Sequence, residues 1–365
     1  MPRVRPMLAK AVYEVPRGEG VLYEPKWDGF RCVVFRDGDE VELGSRNDRP
    51  LTRYFPEMVV ALKAALPQRC VVDGELVVLA ESGDGSLDFE NLQQRIHPAE
   101  SRINMLAETH PASFVAFDLL ALGDRDLREK PFSERRRQLE GILGGAARSR
   151  VYVTPITDDP DTAEDWFRRF EGAGFDGVVA KTADSPYLED QRAMLKVKHQ
   201  RTADCVVAGF RWHKDGEGVG SMLLGLYDDA GNLNHVGVCS SFAAARRKEL
   251  VDELAPLRGD IDEVLASHPW RRWAEAEAHD GTQLLPGTPS RWNNQKDLNW
   301  VPLRTERVVE VKFENIQSGR FRGVSRFVRW RDDKRTEDCR YDQLEEIPPA
   351  ELAQIFVKRP STTPT

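Results

Sequence analysis

Seven short apolar runs recur through the first two hundred residues: Gly20–Lys26, Arg31–Phe35, Val41–Ser45, Cys70–Leu79, Phe114–Leu122, Asp176–Ala180 and Met194–Lys198. All are rich in Val, Leu or Phe, and glycines or polar turns bound them, so they are predicted strands. Helical patterns lie between them at Phe55–Leu66, Glu90–Ile96, Ser133–Leu143 and Thr162–Glu171. Ser133 reads as a helix start and Gly144-Gly145 as a stop. Strands and helices mixed in this way predict an α+β domain.

From about Ala203 the pattern changes. Five more strand candidates follow, at Val206–Phe210, Met222–Tyr227, His235–Cys239, Val308–Phe313 and Ser325–Trp330, with one helix candidate at Ala243–Leu254. Five strands and a helix match a small Greek-key barrel of the oligonucleotide-binding (OB) type. Residues 256–306, rich in Pro, Trp and charge, match no simple pattern. A length of 365 residues suits two domains. The expected organisation is 1–200, 201–348 and a tail over 349–365, disordered after Lys358.

Several classes are excluded. No apolar run approaches the ~18 residues of a membrane span, and the opening MPRVRPMLAK has no secretory core. Five cysteines, none spaced C-x-x-C, suggest buried reduced thiols in a cytoplasmic protein rather than a zinc site or a disulfide framework. No G-x-x-x-x-G-K-[ST] loop is present.

The charged residues that interrupt the apolar runs carry the chemistry. Lys26 closes one run, with Trp27 after it, a tight Asp28-Gly29 turn next, and Arg31 opening the following run. A lysine attacks as a nucleophile only when neutral, and desolvation or a nearby cation favours that form. Asp73-Gly74-Glu75, read alone, is a turn before an ordinary strand. Phe117-Asp118 and Asp176-Gly177-Val178-Val179 also place acids among apolar neighbours, where they cost stability unless paired or bound to something. Lys196 and Lys198 project from one face of a strand, a pairing that favours a bound anion. One lysine nucleophile, several acids and a lysine pair suit attack on a phosphoanhydride, with a divalent ion and cations offsetting phosphate charge.

In this order the motifs resemble those of the covalent nucleotidyltransferases: DNA ligases, RNA ligases and mRNA-capping enzymes. Lys26-x-Asp28-Gly29-x-Arg31 resembles motif I, Ser45-Arg46-Asn47 motif Ia, Asp73-Gly74-Glu75 motif III and Phe117-Asp118 motif IIIa. Asp176-Gly177-Val178-Val179 resembles motif IV, Leu195-Lys196-Val197-Lys198 motif V, and Arg331-Asp332-Asp333-Lys334 motif VI. The motif set as a whole is most similar to ATP-dependent DNA ligases of the compact stand-alone bacterial (LigC-like) type, and Pro6-Met7-Leu8-Ala9 and Phe327–Arg331 also resemble DNA ligases more than capping enzymes.

The resemblance implies an adenylation domain followed by an OB-fold domain. It implies that Lys26 attacks the α-phosphorus of ATP and carries AMP. Glu24 would contact the adenine edge, and Arg31 and Glu75 the ribose hydroxyls. Phe117 and Val179 would sandwich the base. Arg46 would lie near the phosphate that receives AMP. Arg192, Lys196 and Lys198 would bind ATP phosphates, and Arg331 and Lys334 the leaving pyrophosphate. Glu75 and Asp176 would hold Mg²⁺ or Mn²⁺, with Asp176 standing where such families usually have Glu. The partner implied is nicked duplex DNA, sealed by a monomer with no membrane contact. A hinge near Gln200–Ala203 would let the second domain swing. Only 25 residues precede Lys26, which suggests a minimal ligase for repair or auxiliary sealing.

Alternatives are an RNA-end ligase or capping-type enzyme with the same chemistry, and a non-catalytic barrel beside an inactive domain. The second is disfavoured because every motif keeps its reactive residue. An NAD⁺-dependent ligase is disfavoured because the cysteines cannot supply that type's zinc module. The net charge of −8 argues weakly against nucleic acid. Residues 312–335, however, hold eight basic groups against three acidic ones. A strip of that kind governs binding locally, because charges beyond about 8–10 Å are screened.

Overall fold

The computed structural model describes residues 4–47, 49–81, 85–143, 150–169, 175–198, 201–273, 283–286 and 299–344, apart from the side chain of Asp176. Two compact units divide between residues 199 and 200. The expected tail over 349–365 lies outside the described residues.

The first unit contains strands β1 (Ala9–Val12), β2 (Val21–Trp27), β3 (Phe30–Asp37), β4 (Glu40–Ser45), β5 (Arg69–Val78), β6 (Ala112–Leu122), β7 (Arg125–Asp126), β8 (Val151–Val153), β9 (Phe175–Thr182) and β10 (Met194–Val197). Its helices are α1 (Pro56–Ala65), α2 (Phe89–Gln94), α3 (Glu100–Thr109), α4 (Phe132–Leu143) and α5 (Pro160–Arg169). Six strands make one sheet, ordered β4-β3-β5-β6-β7 with β8 alongside β6. A second sheet has the order β1-β10-β9-β2.

β5 and β6 read as nearly continuous apolar runs because both of their faces are covered. On one face Val72, Leu76 and Phe114 pack with Met58 and Leu62 of α1 and Leu139 of α4. On the other, Val33, Val71 and Leu120 meet Met7, Tyr187 and Met194. Asp73-Gly74 is therefore not a turn: both residues lie inside the ten-residue β5. Glycine is needed there because a Cβ at Gly74 would sit 2.4 Å from the Phe114 ring.

The second unit contains β11 (Arg201–Trp212), β12 (Val219–Tyr227), β13 (Leu233–Cys239), α6 (Ala244–Leu254), α7 (Ile261–Ser267), β14 (Val301–Pro302), β15 (Val308–Phe313), β16 (Ile316–Gln317), β17 (Arg320–Phe321) and β18 (Arg326–Trp330). The main sheet runs β13-β12-β11-β15-β18. A parallel bridge between Cys239 and Ser325 returns the last strand to the third, so the sheet curls back on itself. A three-stranded meander, a helix, and two returning strands in that order form an OB-fold. Its core centres on Phe210, Leu224, Val309 and Trp270. Trp270 Nε1 donates to the Leu233 carbonyl at 2.7 Å, which satisfies a buried indole.

The hinge expected near Gln200–Ala203 falls beside the boundary between the two units. Gln200 lies outside the described residues, but Arg201 to Ala203 are already paired with Phe313 to Val311 of β15. All five cysteines are buried free thiols. Among the described residues no helix is long and apolar enough to cross a membrane.

Candidate active site

β2 and β9 run antiparallel with a shift in register between Pro25 and Trp27. Pro25 faces Val178 and Trp27 faces Phe175, so Lys26 stands opposite the two residues Asp176 and Gly177. A bulge of this kind re-aims a side chain. Gly177 makes it possible: its φ is +125°, and a Cβ there would lie 1.9 Å from the Val197 carbonyl oxygen.

The register then sets a row across the four-stranded sheet. Ala11 pairs with Lys196, Lys196 with Val179, and Val179 with Glu24. Residues in register share a face, and these four line one pocket of about 300 Å³. The six-stranded sheet supplies the facing residues Arg31 and Glu75, paired across β3 and β5, together with Phe117 from β6. Arg46, just beyond β4, and Arg192, before β10, also line it.

Among the pocket's lining residues are six cations (Lys26, Arg31, Arg46, Lys181, Arg192 and Lys196) and two carboxylates (Glu24 and Glu75). The formal excess of four positive charges matches a polyphosphate, and the apolar Val179, Met194 and Phe117 offer a surface for a base.

Individual contacts refine the roles. Arg31 makes a bidentate pair with the fully buried Asp73, both bonds at 2.6 Å. Its guanidinium also stacks 4.4 Å from the centre of the Phe117 ring. Glu24 is buried between two cations, Lys181 at 2.6 Å and Arg136 at 3.1 Å. Burial pushes the Glu75 carboxyl up to about 7, against the pull of Arg31 and Lys26 and with Asp28 and Asp73 adding repulsion. A desolvated carboxylate beside other acids is a hard oxygen donor suited to a divalent cation. The Asp176 side chain, its expected partner, lies outside the described residues.

Of the residues singled out in the sequence, Glu24, Lys26, Arg31, Arg46, Glu75, Phe117, Val179, Arg192 and Lys196 come together here. Lys198, one residue past the end of β10, was expected beside Lys196 but is not among the residues lining the pocket. Lys181 was missed. It stands two residues after Val179 on the same strand, so the strand period alone places it on the pocket face.

Arg331 and Lys334 belong to the second unit. Both bind Asp204, and Arg331 also binds Asp333 at 2.8 Å. The basic strip over 312–335 is thus less bare than its count suggests. Arg329 is held by Glu310 at 2.6 Å and Arg335 by Glu337 at 3.4 Å.

Two family models cover most of the chain. The ATP dependent DNA ligase domain matches residues 6–198, and the ATP dependent DNA ligase C terminal region matches 215–334. DNA ligase C of Mycobacterium tuberculosis is 54% identical over 361 residues, covering 97% of each chain. DNA ligase C2 of Mycolicibacterium smegmatis is 54% identical over 95% of this chain and 96% of the relative. Among solved structures, a Lig E DNA ligase studied for DNA binding with a minimal scaffold aligns with a TM-score of 0.53. At 17% identity over 90% of this chain and 99% of that one, the likeness speaks for the fold alone. With both halves of the chain matched and the first two relatives aligned almost end to end, this chain belongs to the ATP-dependent DNA ligase family.

Proposed function

We propose that the chain seals nicks in duplex DNA as a monomeric repair ligase of the cytoplasm, with Lys26 as the residue that carries AMP. The observation that carries the proposal is the convergence of Lys26 with Arg31, Arg46, Arg192 and Lys196 on one pocket that also holds Glu24, Glu75 and Phe117.

The chemistry is three in-line displacements at phosphorus. First the neutral Lys26 amine attacks the α-phosphorus of ATP. An N–P bond forms, the α–β phosphoanhydride P–O bond breaks, and pyrophosphate leaves. Then an oxygen of the 5′-phosphate at the nick attacks the same phosphorus, breaking the N–P bond and returning the lysine. Last, the 3′-hydroxyl attacks the 5′-phosphate, loses its proton and releases AMP. Orientation and charge neutralisation supply most of the rate.

Lys196 and Arg192 would neutralise the triphosphate, and Arg46 would meet the phosphate that accepts AMP. Arg31 and Glu75 would hold the ribose, with Phe117 and Val179 on the base and Glu24 at its edge. Arg331 and Lys334 would orient pyrophosphate as it leaves. Glu75 and Asp176 would hold a divalent ion, Mg²⁺ or Mn²⁺, which supplies further neutralisation of phosphate charge.

The test is ATP-dependent sealing of a 5′-labelled nicked duplex, with DNA or RNA on each side of the nick. Sealing of the all-DNA nick, with AMP as by-product, is expected. Sealing of RNA nicks alone would favour the RNA-end alternative.

A further inference from the structure

The segment between β9 and β10 contains Tyr187, which no motif includes. Its ring is almost fully buried, at 4% exposure, among Met7, Val33, Val71 and Met194. Its hydroxyl donates to Asp73 Oδ2 at 2.5 Å and accepts the Met7 backbone N–H at 3.0 Å. Asp73 in turn grips Arg31 through Nε and Nη2. The sequence Met7 N–H, Tyr187, Asp73, Arg31 is a chain of hydrogen bonds in which each member polarises the next.

Two consequences follow from this arrangement. The carboxylate plane of Asp73 sets the plane of the Arg31 guanidinium, as in any fork-shaped pair. Among the described residues Arg31 Nη1 makes no hydrogen bond, so its donors remain for a ligand in the pocket that Arg31 lines. Met7, meanwhile, belongs to a strap over Pro6–Ala9 that lines the same pocket. Leu8 ties that strap to the Tyr187 segment, through Leu8 N to the Gln191 carbonyl at 2.8 Å and Met194 N to the Leu8 carbonyl at 3.2 Å.

We propose that Tyr187 is a positioning residue for ribose recognition: by fixing Asp73 it aims Arg31 at a sugar hydroxyl, and so sets discrimination between ATP and its deoxy analogues. This rests on the assignment of Arg31 to the ribose made above. Tyr187 touches no substrate and acts through Asp73. A hydrogen bond to a charged group is worth about tenfold in an equilibrium, so losing the aim of Arg31 should remove about that much sugar selectivity. The contacts of the triphosphate, made by other residues, stay as they are.

The experiment is calorimetric titration of the full chain carrying Lys26→Ala, which blocks the covalent step, with ATP, 2′-deoxy-ATP and 3′-deoxy-ATP. Before further substitution, ATP is expected to bind at least fivefold more tightly than the analogue that lacks the hydroxyl reached by Arg31. Adding Tyr187→Phe should weaken ATP about five- to tenfold, leave that analogue unchanged and collapse the ratio. If Tyr187→Phe weakens all three nucleotides by one factor, or none, Tyr187 serves packing only and the proposal is overturned. Arg31→Gln separates the two assignments. If it leaves the ratio intact, the ribose role of Arg31 is wrong and the proposal falls with it. If it collapses the ratio while Tyr187→Phe does not, only the role of Tyr187 is wrong. Asp73→Asn, which keeps the side-chain shape, should collapse the ratio in the same way and serves as the second variant if Tyr187→Phe does not fold.

Discussion

Arg331 and Lys334 share one carboxylate: Asp204 lies 2.9 Å from each, although 127 and 130 residues separate it from them in the chain. Asp204 is only 13% exposed, so its removal leaves two cations poorly compensated. Asp204→Asn should lower the stability of the full chain by about 1–3 kcal/mol in denaturant unfolding. A double-mutant cycle with Arg331→Ala should return a coupling of about 1–3 kcal/mol. Additive effects would mean that the pair contributes nothing.

The pairing of the basic strip bears on DNA affinity. Glu310 holds the exposed Arg329 on β18. Glu310→Gln releases that cation, and binding of nicked duplex should tighten severalfold at low salt. The slope of log K against log salt should steepen by up to about one unit, as for one added phosphate contact. Filter binding across a salt series reads both.

Glu75 sets a pH dependence. Its carboxyl titrates at about 7 in the fold, above the ordinary value of 4.5, because burial disfavours the charge. The folded state then holds a proton that the unfolded state has already released between those values, so stability falls as pH rises through that window. The neutral isostere Glu75→Gln should therefore be more stable than the parent at pH 8 by about 1–3 kcal/mol and nearly equal at pH 4.5, in the absence of nucleotide. Thermal unfolding at the two pH values measures it, and the stabilised variant should lose adenylylation activity.

Two glycines with positive φ should respond differently to alanine. At Gly38 the φ is +60° and nothing lies within 4 Å of an added Cβ, so the cost is that of left-handed backbone, about 1–2 kcal/mol. At Gly177 the added Cβ would meet backbone at 1.9 Å, so the bulge beside Lys26 must shift. Gly177→Ala should cost more than about 3 kcal/mol and suppress adenylylation, while Gly38→Ala remains active.

Much of this was legible because strand period and burial act locally. β2, β5, β6 and the barrel strands were readable as apolar runs, and the pocket's cations stood at their ends. What was not legible depends on distant partners. β1 is four residues long and exists because β10 offers it a parallel edge. α3 carries only two buried apolar residues, Ile103 and Leu106, and no side-chain cap, so its pattern is faint. Asp73-Gly74 has the composition of a turn and becomes strand because Phe114 packs where a Cβ would be. Asp204 has no local signal at all. Its role comes from register, β11 lying beside β15 and the segment after β18.

The central claim is that Lys26 carries AMP. Incubation with ATP labelled at the α- or the γ-phosphate, followed by denaturing electrophoresis, tests it most directly. Label should stay on the protein from the α position only and disappear in Lys26→Ala. Retention of α-label by Lys26→Ala would contradict the assignment.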